Sequence, residues 1–233
     1  MEIIAEIGQN HNGDMSLACE LIHAAKENGA DVAKFQLYDA KMIFTPKNNE
    51  WYEYNCKTEI KLQDLQLLVE ECNKAKIEFM ASVFDVERVA WLEKVGVCRY
   101  KIASRSIFDT RLIKTITATG KPIIASLGIW REHKLPSMHT DADVHFLYCV
   151  SKYPTPLKDV RLKQVDFENR YSGISDHTVG ITTGLVAFSR GARILEKHFT
   201  LDKKMYGPDH LCSMTPDELG TLNEFRKEIS LCL

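Results

Sequence analysis

The sequence predicts an α/β fold, a closed (β/α)8 barrel of the TIM type, from three observations. Short β-rich runs alternate with helix-period segments almost from end to end. About eight such units follow one another, and no break in composition or convincing linker divides them. Strict alternation implies a parallel sheet with right-handed crossovers, and this many units favour a closed barrel over an open doubly wound sheet. The 233 residues fall slightly below the ~250 usual for the fold, so some units must be trimmed. One catalytic barrel domain over residues 1–233 accounts for the whole pattern.

The first strand is placed at Ile3–Ile7, and Ser16–Asn28 carries the apolar spacing of an amphipathic helix. Val32–Leu37 follows across Gly29-Ala30-Asp31, a helix-to-strand turn with glycine just past the helix end. Lys41–Glu59, rich in Asn and aromatics, has no period and reads as a loop over one end of the barrel. Helix-period Leu62–Lys76 leads into strand Glu78–Ser82, and Val86–Val95 leads through Gly96-Val97 into Arg99–Ala103. Arg111–Thr119 precedes the Gly120-Lys121-Pro122 junction and strand Pro122–Ser126. Next, Trp130–Asp143 contains a proline and leaves little room for a helix. Val144–Cys149 is the sixth strand, Asp159–Arg170 allows only a short helix, and Gly173–Ser175 is the seventh strand. Ile181–Arg190 separates it from Arg193–Lys197. A last helix runs from Pro216 to Ile229, with Thr215 as N-cap and Glu218 at the capping-box position.

Apolar residues make up 45% and charged residues 27%, an ordinary globular balance. Thirty basic and 32 acidic side chains leave a net charge of −2. Such a chain has no field to draw nucleic acid or an anionic membrane nonspecifically, so any phosphate or carboxylate must be gripped by placed lysines. No run approaches the ~18 apolar residues of a membrane span, and MEIIAEIGQNHNG lacks the pattern of a signal peptide. The seven cysteines are odd in number and form no CxxC pair, and several lie in apolar patterns where thiols act as small core residues. A reduced, cytoplasmic protein with small-molecule substrates is expected, without nucleic-acid or membrane partners.

In such a barrel, catalytic groups come from the C-terminal ends of the strands. Polar residues collect there in this sequence. Glu6 ends the first strand and precedes Gln9, Asn10 and His11; Lys34 and Gln36, two apart, point to one side of the second. Ser82 closes the third, Lys101 and Ser104 the fourth, Ser126 the fifth, and Ser151 follows the sixth. Ser175, Asp176 and His177 end the seventh, and Glu196, Lys197 and His198 the eighth. Each has a structural alternative: strand lysines snorkel at a rim, serines cap the next helix, and single histidines are hydrogen-bonded core residues. Two histidines on adjacent strand ends, each beside an acidic residue, form a pair of metal-ligand candidates that leaves most positions of an octahedral ion open. The lysines and hydroxyls suit an anionic substrate. His11 and His210 adjoin polar motifs and are further candidates. His23 reads as a surface residue, and His133, His139 and His145 show no metal spacing.

The runs AEIGQNHNG (Ala5–Gly13), GADVAKFQ (Gly29–Gln36), YKIAS (Tyr100–Ser104), TGKPIIASLG (Thr119–Gly128), YPTP (Tyr153–Pro156), GISDHT (Gly173–Thr178), EKHFT (Glu196–Thr200) and GPDH (Gly207–His210) resemble the N-acetylneuraminate (sialic acid) synthases. They stand in that family's order and cover nearly the whole chain. The resemblance implies a barrel transferase of carbohydrate biosynthesis. Such an enzyme condenses phosphoenolpyruvate with an N-acetylmannosamine-like 2-acetamido sugar, giving a sialic acid or related nonulosonate and releasing phosphate. It further implies that His177 and His198 hold a divalent cation, Mn2+ or Mg2+, and that Lys34, Ser82, Lys101, Ser104, Ser126 and Ser175 hold phosphoenolpyruvate. Phe84, Ser151 and Tyr153 match sugar-side positions. Glu6 and Glu196 match acidic residues of the mouth, and with Lys34 and Lys101 they are the catalytic candidates. Relatives also imply a homodimer.

The sequence departs from the family pattern in three places. Ser106 stands where relatives carry an acidic residue two places after the YKIAS serine, so Glu6 or Asp109 must take its role or the chemistry differs. Leu127 replaces a common threonine. The match covers the barrel and not the C-terminal antifreeze-like domain usual in the family, which lends an arginine to the partner's sugar site. Two other readings stay open: a Schiff-base aldolase or lyase using Lys101 or Lys197, and a non-catalytic barrel that binds a phosphorylated ligand.

Overall fold

The computed structural model describes residues 1–47 and 49–232. Its elements run β1 (Glu2–Gly8), α1 (Met15–Glu27), β2 (Val32–Leu37), α2 (Ala40–Ile43), α3 (Tyr52–Lys57), α4 (Leu62–Ala75) and β3 (Glu78–Val83). There follow α5 (Val86–Val95), β4 (Tyr100–Ile102), α6 (Thr110–Thr117), β5 (Ile123–Ser126), β6 (Val144–Cys149) and α7 (Leu157–Val160). The chain ends with β7 (Gly173–Asp176), α8 (Thr182–Ser189), β8 (Ile194–His198) and α9 (Pro216–Cys232). The strands pair in chain order, all parallel, and β1 closes on β8, which is the expected (β/α)8 barrel.

Side chains alternate across a strand, so one face of each lines the barrel axis. Ile4, Val32, Met80, Ile124, Leu147 and Ile194 pack there as a dry layer. Two residues further along the same strands stand Glu6, Lys34, Ser82, Ser126, Cys149 and Glu196. The apolar layer is therefore a floor, and the next layer up is polar. The opposite strand faces carry Ile3, Ala33, Phe35, Ile102, Ile123 and Leu195 into one continuous core beneath the helices. Burying each such large side chain stabilises by about 1.5–3 kcal/mol, which is what allows a barrel to carry charged groups at its centre. Gly173 lets β7 approach β8, since a Cβ there would lie 1.8 Å from the carbonyl oxygen of Ile194.

Local chemistry sets the element ends. Asp14 caps α1 by accepting from the backbone N–H of Ser16 and Leu17. Thr215 and Glu218 close the expected capping box on α9: the backbone N–H of Thr215 donates to Glu218 Oε2 at 3.0 Å. The trimmed units are as expected, with no helix in Trp130–Asp143 and only α7 and a 3-10 turn before β7. Lys41–Glu59 is not a loop throughout. It holds α2, capped by Asp39, and α3, anchored by buried Tyr54 and Asn55. Helices of four and six residues are too short to show a 3.6-residue period. β7 and β8 also run one residue past the expected ends, so His198 is a paired strand residue opposite Glu6.

Candidate active site

The polar layer opens at the C-terminal ends of the strands as an inner well of about 60 Å3. Glu6, Lys34, Ser82, Phe84, Lys101, Ser104, Ser126, Tyr153, Ser175, His177, Glu196 and His198 all line it. Ser151 lines only the wider chamber above, together with Phe84, Ser104, Tyr153 and His198. These thirteen sequence candidates therefore meet at one mouth.

The well is built on two buried lysines and two buried carboxylates. Lys34 Nζ lies 2.5 Å from Glu6 Oε2 and 3.5 Å from Glu196 Oε2, and donates to Ser82 Oγ at 3.0 Å. Lys101 Nζ lies 3.4 Å from Glu196 Oε1 and donates to Ser126 Oγ at 2.8 Å. Ser175 Oγ donates to the same Glu196 oxygen at 2.7 Å, and Gln36 donates to Glu6 Oε1 at 2.8 Å. Burial works against the charge of Lys34, but Glu196 and Glu6 outweigh it and its pKa is raised. Lys101 is lowered, because burial and the nearby Lys34 charge outweigh Glu196. Burial pushes Glu196 up, yet Lys101 and Lys34 dominate and hold it at about 2. Both lysines thus stand against shared carboxylates, a layout already desolvated before an anion enters.

Gly128 keeps this arrangement open. Its N–H donates to Ser104 Oγ at 2.8 Å, and a Cβ on it would sit 2.2 Å from Ser151 Oγ and 2.9 Å from Ser104 Oγ. The departure at Ser106 also resolves here. Ser106 is buried and lines neither cavity, and Asp109 is spent on capping α6 by accepting from the Leu112 N–H at 2.9 Å. Of the two carboxylates offered as substitutes, Glu6 is the one in the well.

His177 and His198 stand with ring centroids 5.6 Å apart, and Tyr153 packs 4.1 Å from the His177 ring. His177 Nδ1 faces the Val150 carbonyl oxygen at 3.3 Å, an outer contact that leaves Nε2 as the free donor. His198 Nδ1 is buried without a hydrogen-bond partner among the described residues, 4.0 Å from Asp209 Oδ2. Burial first, and then the His198 ring, drive the His177 pKa well below its usual value, so it is neutral as a ligand must be. Among the described residues no group of three or more His, Cys, Asp or Glu side chains stands in metal-ligating arrangement. The donor set fits a divalent cation held by two imidazoles and completed by water or substrate oxygens.

Other sequence candidates lie elsewhere. His11 and His210 line neither cavity: His11 Nδ1 accepts from the Gly13 N–H, and His210 bridges Thr200 Oγ1 and Asn12 Oδ1 as a brace between the β1 and β8 loops. Lys197 borders the well, but its ammonium is committed to Asp176 Oδ2 at 2.8 Å and the Thr178 carbonyl at 2.6 Å. That buried pair makes it structural and removes it as a Schiff-base lysine.

The chamber of about 780 Å3 above the well also brings in Gln9, Phe44, Trp51, Asn55, Arg105 and Asp209. Of these, only Gln9 stood among the strand-end polar residues of the sequence. Asp209 was legible in GPDH, and Cys149, which faces the well, from its position at a strand end. Trp51 and Asn55 sit in the stretch without a period and carried no signal.

A family model described as the NeuB family matches residues 21–233. An uncharacterized protein of Methanocaldococcus jannaschii is 40% identical over 93% of this chain and 67% of its own length. The N,N'-diacetyllegionaminic acid synthase of Legionella pneumophila is 36% identical over 94% of this chain and 69% of its own length. Among solved structures, the N-acetylneuraminic acid (sialic acid) synthetase of Leptospira borgpetersenii superposes with a TM-score of 0.92 at 32% identity, over 99% of this chain and 84% of that one.

Proposed function

The chain belongs to the NeuB family, whose named members are synthases, and from that premise we propose that it condenses phosphoenolpyruvate with a 2-acetamido sugar aldehyde. The products are a nonulosonate of the sialic acid class and inorganic phosphate, and Mn2+ or Mg2+ serves as cofactor. The observation that carries the reading is the pair Lys34 and Lys101, bridged by Glu196 within a ring of hydroxyls and opening directly onto two histidines.

The anionic end of phosphoenolpyruvate fits the well. Lys34 and Lys101 offset the charge of its phosphate and carboxylate, while Ser82, Ser104, Ser126 and Ser175 orient the oxygens. A cation on His177 and His198 would supply Lewis acidity at the aldehyde oxygen. C3 of phosphoenolpyruvate forms the new bond to the aldehyde carbon, whose oxygen takes up a proton. Water adds its oxygen at C2, and phosphate leaves as the C2–O bond to it breaks, giving the 2-keto acid. Glu6, hydrogen-bonded by Gln36 and ion-paired with Lys34, is the well carboxylate placed to accept the proton of that water. Glu196 keeps both lysines aimed inward.

Phosphate release from phosphoenolpyruvate, followed across a panel of 2-acetamido sugars with Mn2+ present and then chelated, tests the reading. Metal-dependent release with one sugar, lost in His177→Ala, is expected; silence across the panel would reject it. The lowered pKa of Lys101 favours one second reading, a Schiff-base aldolase. Borohydride would then trap a pyruvate adduct on Lys101 without metal. The absence of a membrane-spanning helix among the described residues and seven free thiols support a reducing, cytoplasmic location.

A further inference from the structure

Arg105 follows β4 and opens into the outer chamber, not the inner well. Its guanidinium carbon stands 5.2 Å from the Phe44 ring centroid and 5.8 Å from that of Phe84. Among the described residues its side chain makes no hydrogen bond and no ion pair, whereas Arg88, Arg99 and Arg226 each meet carboxylates. Packing against the rings lowers its pKa somewhat, while the residue stays open to solvent in the chamber. The two rings hold the guanidinium in place at the chamber wall without occupying its N–H groups, and the planar fork of arginine matches carboxylate and phosphate oxygens two at a time.

The two lysines of the well already serve one anionic reactant, so this third cation, in a separate compartment, is left for the other. Asp209, the chamber's carboxylate, lies beside His198 and disfavours a second anion at that end. We propose that Arg105 selects the acceptor by gripping an anionic substituent, a phosphate ester or a carboxylate, carried by the sugar away from its aldehyde. The chamber volume of about 780 Å3 leaves room for such a group beyond an unadorned hexosamine.

The proposal deepens the condensing-enzyme reading and is tested with the full chain in two arms. The kinetic arm compares N-acetylmannosamine, its 6-phosphate and the corresponding uronic acid as acceptors, in the wild type and in Arg105→Gln and Arg105→Lys. The wild type is expected to prefer an acidic acceptor over the neutral one by about 10- to 100-fold in kcat/KM. Arg105→Gln should collapse that ratio toward one, and Arg105→Lys should restore part of it. The acid giving the larger ratio identifies the group as phosphate or carboxylate.

The binding arm repeats the three sugars by calorimetry without phosphoenolpyruvate, so it stands even where no sugar turns over and the condensing reading fails. The same preference in Kd, lost in Arg105→Gln, is expected. Equal affinity for acidic and neutral sugars would overturn the proposal, as would a matching loss of phosphoenolpyruvate affinity in Arg105→Gln.

Discussion

Glu6 and Lys34 are register partners on β1 and β2, and their side chains meet above the apolar floor at 2.5 Å. The ion pair is thus fixed by strand pairing, with no loop involved. Glu196, opposite Ser175 on β7, ties the second lysine into the same network.

Glu196→Gln should cost about 3 kcal/mol of stability, because it breaks the buried ion pairs that Glu196 makes with both Lys34 and Lys101. Urea unfolding checks this against Glu224→Gln on the exposed side of α9, which should change stability by less than about 0.5 kcal/mol. Equal effects would mean the network is not holding charge.

Lys101→Met should act in the opposite sense. Burial already disfavours the charged form of Lys101, and Glu196 retains Lys34 and Ser175. Stability should stay within about 1 kcal/mol of the wild type, while phosphoenolpyruvate affinity falls by about 100-fold or more. Calorimetry and urea unfolding on one preparation separate the two effects.

Gly128→Ala places a methyl group against the hydroxyls of Ser104 and Ser151. A stability loss of about 1–3 kcal/mol is expected, with kcat/KM falling at least about 10-fold as the hydroxyls are displaced. Adding Ser151→Ala should relieve part of the stability loss, since that oxygen is the nearer of the two. A double variant as unstable as the single would disprove the clash.

Acid should weaken the fold through His11. Burial lowers its pKa from 6.5 to about 4, opposed by Asp14. Below pH 6.5 the unfolded chain takes up a proton that the folded chain refuses until about pH 4. Stability therefore falls through that window, by about 3 kcal/mol at its foot. In His11→Gln that slope should flatten, whatever the starting stability. Urea midpoints at pH 7, 6 and 5 that fall in parallel for both proteins would assign the loss to another group.

The well was legible in the sequence because strand geometry writes it there. Lys34 and Gln36 share a face by their spacing of two, and Glu6, Lys34, Ser82, Ser126 and Glu196 each follow an apolar floor residue by the same spacing. The chamber was legible only where a motif crossed it, as at Tyr153 and Asp209. Trp51 and Asn55 reach it from short helices whose placement depends on contacts such as that of Asn55 Oδ1 with Gln9 Nε2 at 2.7 Å, between residues 46 positions apart. His11 and His210 looked like site residues because they adjoin polar motifs, but nothing in a linear sequence separates a brace from a ligand. Lys197 differed from its neighbours by the strand alternation itself, which turns it outward between inward Glu196 and His198.

The ion-paired residues of the well come from the strands, whereas much of the chamber comes from the connections after them. The two compartments can therefore vary independently. Transplanting residues 39–59 from another member of the family would exchange α2 and α3 and leave every strand register untouched. A barrel built in this way can keep one donor chemistry while its lineage tries out acceptors, because a change of sugar calls for no revision of the ion pairs beneath.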